Sequence, residues 1–412
     1  MKFSKIYVSK MEDIVMQFSK KFEAIAPSPT LAIDAKFKQM KADGLNVVGF
    51  GAGEPDFDTP DHIKQAAIDA IMSGKTKYTP ASGTIALKQA ICEKFERDNG
   101  LSYKPENIVV SNGAKHSLIN VFGAILNPGD EVIIPAPFWV SYPEMVKYND
   151  GVPVVIPTLE ENDFKFSPKQ FEEAITPKTR AIVLNSPCNP TGMVYTEEEL
   201  RAIADVAVAH NIYVVSDEIY EHLVYGDAKH VSIASFNDKI KELTIIINGV
   251  SKTYAMTGWR IGFTASDAKI AKLMGNVQSH TTSNPNSIAQ EATIAALNGP
   301  KDELQKMIAE FDNRRKYMVE RINNVKWVSC RAPQGAFYVM MNIEKLIGKT
   351  VCGKLIESAD DFSEIFLSEQ LVAVVSGVGF DAPAFVRWSY ATSMENIKEG
   401  IDRLEKLLGN VQ

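Results

Sequence analysis

A chain of 412 residues with 45% hydrophobic content can bury a core large enough for two domains, and 23% charged and 9% aromatic residues are ordinary for a globular protein. A net charge of −7 argues against a broad electrostatic hold on nucleic acid or an anionic membrane. Cys92, Cys188, Cys330 and Cys352 lie far apart with no C-x-x-C pair, which argues against a metal or disulfide framework and for reduced thiols in the cytoplasm.

In chain order, the first 25 residues carry lysines but no unbroken apolar stretch of the kind a secretion signal needs, and Glu12 and Asp13 argue against a transit peptide. Ile14, Phe18, Phe22 and Ile25 recur at helical spacing, which predicts an amphipathic helix or packing arm. Nowhere is there an apolar run of about 18 residues, so no membrane span is expected. Gly49, Gly51 and Gly53 follow a strand-like stretch, but their spacing is not that of a dinucleotide fingerprint, and Pro55 blocks the helix that should follow.

From there short apolar runs alternate with helix-length segments, the pattern of βαβ units and a mostly parallel sheet. Strands are predicted over 107–111, 131–135, 152–157, 180–185, 212–216, 243–248 and 259–265. Several are rich in Val and Ile without alternation, as when both sheet faces are covered. After residue 300 a charged helix is predicted over 301–322, strands near 336–341 and 371–376, and an amphipathic helix over 394–408. The division expected is an N-terminal arm and part of a small domain over 1–60, a large domain over 61–305, and a small C-terminal domain over 306–412.

In such sheets ligands bind beyond the carboxyl ends of the strands. Asp217 closes the apolar run "IYVVSD", where a carboxylate needs a cationic or hydrogen-bonding partner unless it caps a helix. Tyr220 follows on the same side. Asn189 lies in "NSPCNPTG", which alone would read as a turn. "SNGAKHSL" opens a helix after the 107–111 strand, and free backbone N–H groups at a helix start, with small residues allowing close approach, make an anion site. Lys252 sits in "NGVSKTYAMTGWRIGF", between Ser251 and Arg260.

One cofactor accounts for these features together. Lysine forms Schiff bases with aldehydes, and burial frees its amine. A phosphate on the same molecule would use Ser251, Arg260 and the helix start. A pyridine ring acting as electron sink needs a carboxylate at its nitrogen, a role open to Asp217, and its phenolic oxygen needs donors such as Asn189 and Tyr220. The molecule described is pyridoxal 5′-phosphate, with no metal required.

From about Ile25 to the C-terminus, "GEPDFDTP", "KYTPASG", "PFWVSYPEM", "NSPCNPTG", "SDEIYEHLVY", "SKTYAMTGWRIG" and "VRWSYATS" resemble the class I pyridoxal-phosphate aminotransferases of fold type I, most closely the bacterial-type aspartate enzymes. The resemblance implies an α/β fold with a mostly parallel seven-stranded sheet in a large domain and a smaller α+β domain. It implies that Lys252 bonds the cofactor and shuttles the proton, that Asp217 pairs with the ring nitrogen, and that Asn189 and Tyr220 hold the phenolic oxygen. Ser251, Arg260, Ala114 and Lys115 would hold the phosphate and Trp139 would stack on the ring. Tyr78 would reach the phosphate of the neighbouring subunit of a homodimer, while Arg387 and Gly53 would take the substrate's α-carboxylate.

Animal-type aspartate enzymes read the second carboxylate with an arginine that has no counterpart in residues 279–290. Lys115, with Thr30, is the expected substitute, and related enzymes with such a pair also accept prephenate. The resemblance implies transfer of an amino group between a dicarboxylic amino acid and 2-oxoglutarate. Other pyridoxal-phosphate chemistry on the same fold, a lyase or an aromatic aminotransferase, is the competing reading. A non-enzymatic regulator would want an added DNA-binding module, for which the N-terminal extension is too short.

Overall fold

The computed structural model describes residues 18–409 and Val411. Ile14 and the rest of the arm's first 17 residues lie outside the described part. Within it the expected amphipathic helix is reduced to one turn, Lys20–Glu23, with Phe18 and Phe22 exposed.

The centre is a seven-stranded sheet built from β1 Ile108–Ser111, β2 Glu131–Pro135, β3 Val152–Ile156, β4 Thr179–Asn185, β5 Tyr213–Asp217, β6 Thr244–Gly249 and β7 Gly262–Ala265. Its spatial order is β1-β7-β6-β5-β4-β2-β3, and only β7 runs antiparallel to its neighbours. Every residue of β1, β6 and β7 is buried, which is why these runs lack polar alternation. One sheet face packs on a cluster including Val121, Phe122, Val183, Val215 and Ile247, the other on one including Ile182, Val214, Ile203 and Ala207.

Local sequence ends the helices where the sheet needs them to end. The helix Glu197–His210 starts at a capping box: Thr196 accepts from the Glu199 N–H (3.2 Å), and the Glu199 carboxylate accepts from the Thr196 N–H (2.7 Å). It stops at Asn211, whose φ of 54° is left-handed, and the chain turns straight into β5.

A second core lies around the 23-residue helix Asp302–Asn324 and the helix Met394–Leu408, where Phe311, Met318, Ile322, Trp388, Ile397 and Ile401 are buried. They cover a four-stranded antiparallel sheet of β8 Ser329–Cys330, β9 Tyr338–Asn342, β10 Val375–Ser376 and β11 Phe385–Ser389, in the order β10-β11-β9-β8. The single strand expected over 371–376 is two. Val372–Ala373 pairs in parallel with Val48–Gly49, and β10 pairs with β11, so the chain passes from one sheet to another at Val374. The helix α1, Pro29–Ala42, packs Ile33, Phe37 and Met40 beside Val47, Leu367 and Ala373. Among the described residues no helix is long and apolar enough to cross a membrane.

Candidate active site

β4, β5 and β6 all deliver their carboxyl ends to one cavity of about 670 Å³, whose walls also include α1, the Gly51–Glu54 turn and β11. Thr30, Gly53, Ala114, Lys115, Trp139, Asn189, Asp217, Tyr220, Ser251, Lys252, Arg260 and Arg387 all line it. Tyr78 does not: it is 89% exposed on the surface of this chain and outside the cavity.

Asp217 is the last residue of β5 and 3% exposed, followed by a turn rather than a helix, so it does not serve as a helix cap. Tyr142 Oη donates to its Oδ2 (2.7 Å) and the Ile219 N–H to its Oδ1 (3.3 Å). Asn185, at the end of β4, donates from Nδ2 to the Asp217 carbonyl (2.9 Å) and accepts from the Asn189 N–H (2.8 Å), locking the two strand ends together. Burial pushes the Asp217 carboxyl up to about 6, against the opposing pull of the Tyr142 and Ile219 bonds.

Lys252 reaches across from the loop after β6 and donates from Nζ to the carbonyl of Gly53. Burial brings its ammonium down to about 8, with the nearby Glu54 carboxylate opposing that shift. Glu54 is itself held by Thr257, whose Oγ1 donates to Oε2 at 2.6 Å.

The expected strand 259–265 starts late, because Thr257–Trp259 forms a 3₁₀ turn and Arg260 takes a left-handed φ of 58°. That turn aims the guanidinium at the start of the helix α2, Ala114–Ile125, with Nη1 donating to the Thr257 carbonyl (2.9 Å) and Nη2 to that of Asn112 (3.3 Å). Gly113 (φ 86°) has no room for a side chain, since a Cβ there would meet Arg260 Nη2 at 2.3 Å. No side chain caps α2, so its first N–H groups, the guanidinium and Ser251 share one end of the cavity as an anion cradle.

Arg387 on β11 is 2% exposed, not on the surface. Its Nη1 donates to Asn189 Oδ1 and its Nη2 to the Gly51 carbonyl, both at 3.0 Å, while Nε is buried without a partner. Among the described residues no carboxylate pairs with it. A buried guanidinium left in that state is chemically suited to pair with an acid. Lys115 Nζ stands 4.8 Å from the centroid of the Trp139 ring, and burial, with Arg260 adding to it, lowers its pKa. Thr30 Oγ1 lies at the start of α1, 3.0 Å from Ser28 Oγ.

Tyr142, Asn185, Glu54, Thr257 and Tyr338 belong to the site but were not singled out from the sequence. Asn185 was within reach as the end of a predicted strand. Tyr142 sits in the helix Ser141–Tyr148, where nothing local marks its distant partner, and Tyr338 joins the site through strand pairing.

A family model for class I and II aminotransferases matches residues 46–404. An aspartate aminotransferase of Bacillus subtilis is 51% identical over 393 residues, covering 95% of this chain and 99% of its own. An aspartate/prephenate aminotransferase of Nitrosomonas europaea is 46% identical over 396 residues, covering 95% and 100%. The crystal structure of an aspartate aminotransferase from Rhizobium meliloti superposes with a TM-score of 0.93 at 43% identity, covering 96% of this chain and 100% of that one. With the family match running over residues 46–404, through every strand of the seven-stranded and four-stranded sheets, the chain belongs to the class I and II aminotransferases.

Proposed function

We propose that the protein is a pyridoxal-phosphate-dependent aspartate aminotransferase that passes the amino group to 2-oxoglutarate in two half-reactions. The observation that carries the reading is Arg387, a buried guanidinium without an acid partner in the same cavity as Lys252 and Asp217. The relatives named as aspartate aminotransferases support the substrate.

The residues present fit the cofactor. The cradle of Ser251, Arg260 and the Ala114–Lys115 backbone suits a phosphate, and the shape of Gly113 leaves the guanidinium free to reach it. Asp217, a buried carboxyl raised by desolvation, suits a protonated ring nitrogen, whose positive charge would favour the ionised form. Bound there, pyridoxal phosphate supplies an electrophilic carbonyl and an electron-withdrawing ring.

The chain's own groups do the rest. Arg387 binds the α-carboxylate through its planar fork and, with Gly53, fixes the substrate's Cα–H direction. Lys252, its pKa lowered by burial to about 8, is the amine placed to take the proton from Cα and return it. Asp217 would hold the proton on the ring nitrogen, Asn189 and Tyr220 would donate to the phenolic oxygen, and Trp139 would cover the ring. Lys115 and Thr30 take the side-chain carboxylate. A lysine is a flexible point charge, so it suits acids of different length. The relative named for both aspartate and prephenate favours prephenate as a second amino acceptor.

We further propose a homodimer with shared sites, in which Tyr78 serves the partner's phosphate end, since it is exposed and away from its own cavity. The working division is an arm and part of the small domain over 1–60, the large domain over 61–305 and the small domain over 306–412. With all four cysteines free, we place the enzyme in the cytoplasm.

Borohydride reduction of the loaded protein followed by peptide mapping tests the core of this. The cofactor's mass on the peptide containing Lys252 is expected, and its attachment to another lysine overturns the assignment. Aspartate added alone should convert the bound cofactor stoichiometrically to its amino form. Release of ammonia or of a sulfur or carbon fragment instead identifies a lyase.

A further inference from the structure

We infer that Tyr338 is a positioning residue that ties the Arg387 end of the cavity to the Tyr220 end. The inference rests on the reading of the site given above, and it concerns a side chain to which no role has been given.

Strand pairing sets the geometry. Tyr338 on β9 is opposite Ser389 on β11, so Arg387, two residues along, lies diagonally across on the same face. That diagonal brings the guanidinium 4.4 Å from the Tyr338 ring centroid, with Phe380 next nearest at 5.2 Å. A buried guanidinium without an anion has lost its water. Here the electron-rich ring faces replace part of it, and the Asn189 and Gly51 oxygens fix the plane. The fork is therefore held ready before any carboxylate arrives.

At its other end Tyr338 makes one hydrogen bond. Its hydroxyl and that of Tyr220 lie 3.0 Å apart, and the two rings meet edge to face at 6.0 Å. Two hydroxyls share one proton across such a contact. If Tyr220 is to donate into the cavity, its oxygen must be the acceptor and Tyr338 the donor. Both phenols are raised by burial, so both keep their protons at neutral pH. The charged groups facing this pair are Arg387 on β11, Glu54 from the Gly51–Glu54 turn, Asp217 at the end of β5 and Lys252, whose Nζ is 5.9 Å from the Tyr220 centroid. Tyr338 thus orients the Tyr220 proton with its hydroxyl and the Arg387 fork with its ring.

The two functions separate by substitution. Tyr338→Phe keeps the ring and loses the hydroxyl, and Tyr338→Leu loses both. In the pyridoxal-phosphate-loaded protein, Tyr338→Phe should raise the pH midpoint of the visible absorbance by about half a unit or more, because a Tyr220 hydroxyl left to turn away stabilises an anionic oxygen less. Its affinity for the dicarboxylate maleate should stay within about twofold of wild type. Tyr338→Leu should show the same spectral shift and, in addition, bind maleate about three- to tenfold more weakly, the loss expected of one cation–π contact. A Tyr338→Phe midpoint equal to wild type overturns the inference, as does equal maleate affinity in the two variants. Should Tyr338→Leu fail to fold, the Tyr338→Phe midpoint decides alone. Wild-type protein with no titrating cofactor absorbance overturns the reading of the site and this inference with it, whereas failure of the inference alone leaves the wild-type spectrum intact.

Discussion

Tyr142 donates its phenolic proton to Asp217 across 2.7 Å, with both side chains buried, so the carboxylate that would serve the cofactor's ring nitrogen is oriented from the helix Ser141–Tyr148 as well as by the Ile219 N–H. Hydrogen bonds to a charged partner are worth about 1.5–3 kcal/mol. Tyr142→Phe keeps the shape and removes that bond, so the carboxylate should be harder to ionise and less fixed. We expect kcat/KM with aspartate to fall by about tenfold or more, with cofactor still bound. Steady-state kinetics with a cofactor absorbance spectrum check it.

Asp217 also makes the unloaded protein sensitive to pH. Its carboxyl is raised from 3.8 to about 6 in the folded state. Below the lower value both folded and unfolded chains hold the proton and the group contributes nothing. As pH rises through that window the unfolded chain releases its proton first, so this group's contribution to stability falls, by roughly 3 kcal/mol once the pH passes 6. Asp217→Asn removes the effect. Urea unfolding of the two cofactor-free proteins should therefore show the variant gaining on wild type between about pH 4 and about pH 7. A constant difference across that range refutes it. Adding pyridoxal phosphate should restore the wild type, since a cationic ring nitrogen supplies the missing partner.

Arg387 and Lys115 should fail differently. Arg387 is fixed by two hydrogen bonds and buried, whereas among the described residues Lys115 is held only by its place over the Trp139 ring at the start of α2. Arg387→Ala should depress kcat/KM for every amino acid, by roughly 2–5 kcal/mol where a carboxylate is left unpaired. Lys115→Ala should cost activity with aspartate and glutamate and much less with phenylalanine. Equal losses on aspartate and phenylalanine in Lys115→Ala would confine that lysine to the cofactor.

How much of this was legible depends on how local the signal is. The strands at 131–135 and 180–185 were readable because unbroken Val and Ile runs admit little else, and Asp217, Lys252 and Asn189 stood out as polar residues directly after such runs. Arg260 was expected in a strand because nothing in "TGWRIG" announces a left-handed arginine. That conformation accompanies the close approach of its guanidinium to Gly113, which lies far earlier in the chain. The same holds for Tyr142 and Tyr338, whose importance comes from partners 75 and 118 residues away. Thr30, Asp34 and Lys38 reach the cavity because α1 is laid against it by Ile33 and Phe37, a tertiary placement no local pattern carries.

Tyr78 provides the test of a shared site. It lies between the helices Asp61–Met72 and Ile85–Asn99, 89% exposed beside Thr282, Asn284 and Ile288, so its own chain leaves the phenol free to meet another. If a second copy covers this face, the phenol is delivered to the partner's cavity, and each site then needs residues from both chains. Chains carrying Tyr78→Phe have an intact lysine but supply a defective phenol. Chains carrying Lys252→Ala supply an intact phenol to a site without its amine. Mixed under conditions that allow exchange, the two should form hybrids in which one site combines the intact Lys252 of one chain with the intact Tyr78 of the other. Activity should rise above the average of the two parents, towards about a quarter of wild type where both parents are inactive, since at random assortment half the dimers are hybrids and each hybrid has one complete site. A mixture no more active than the average of its two parents, or a fully active monomer in sedimentation, would show that each chain works by itself.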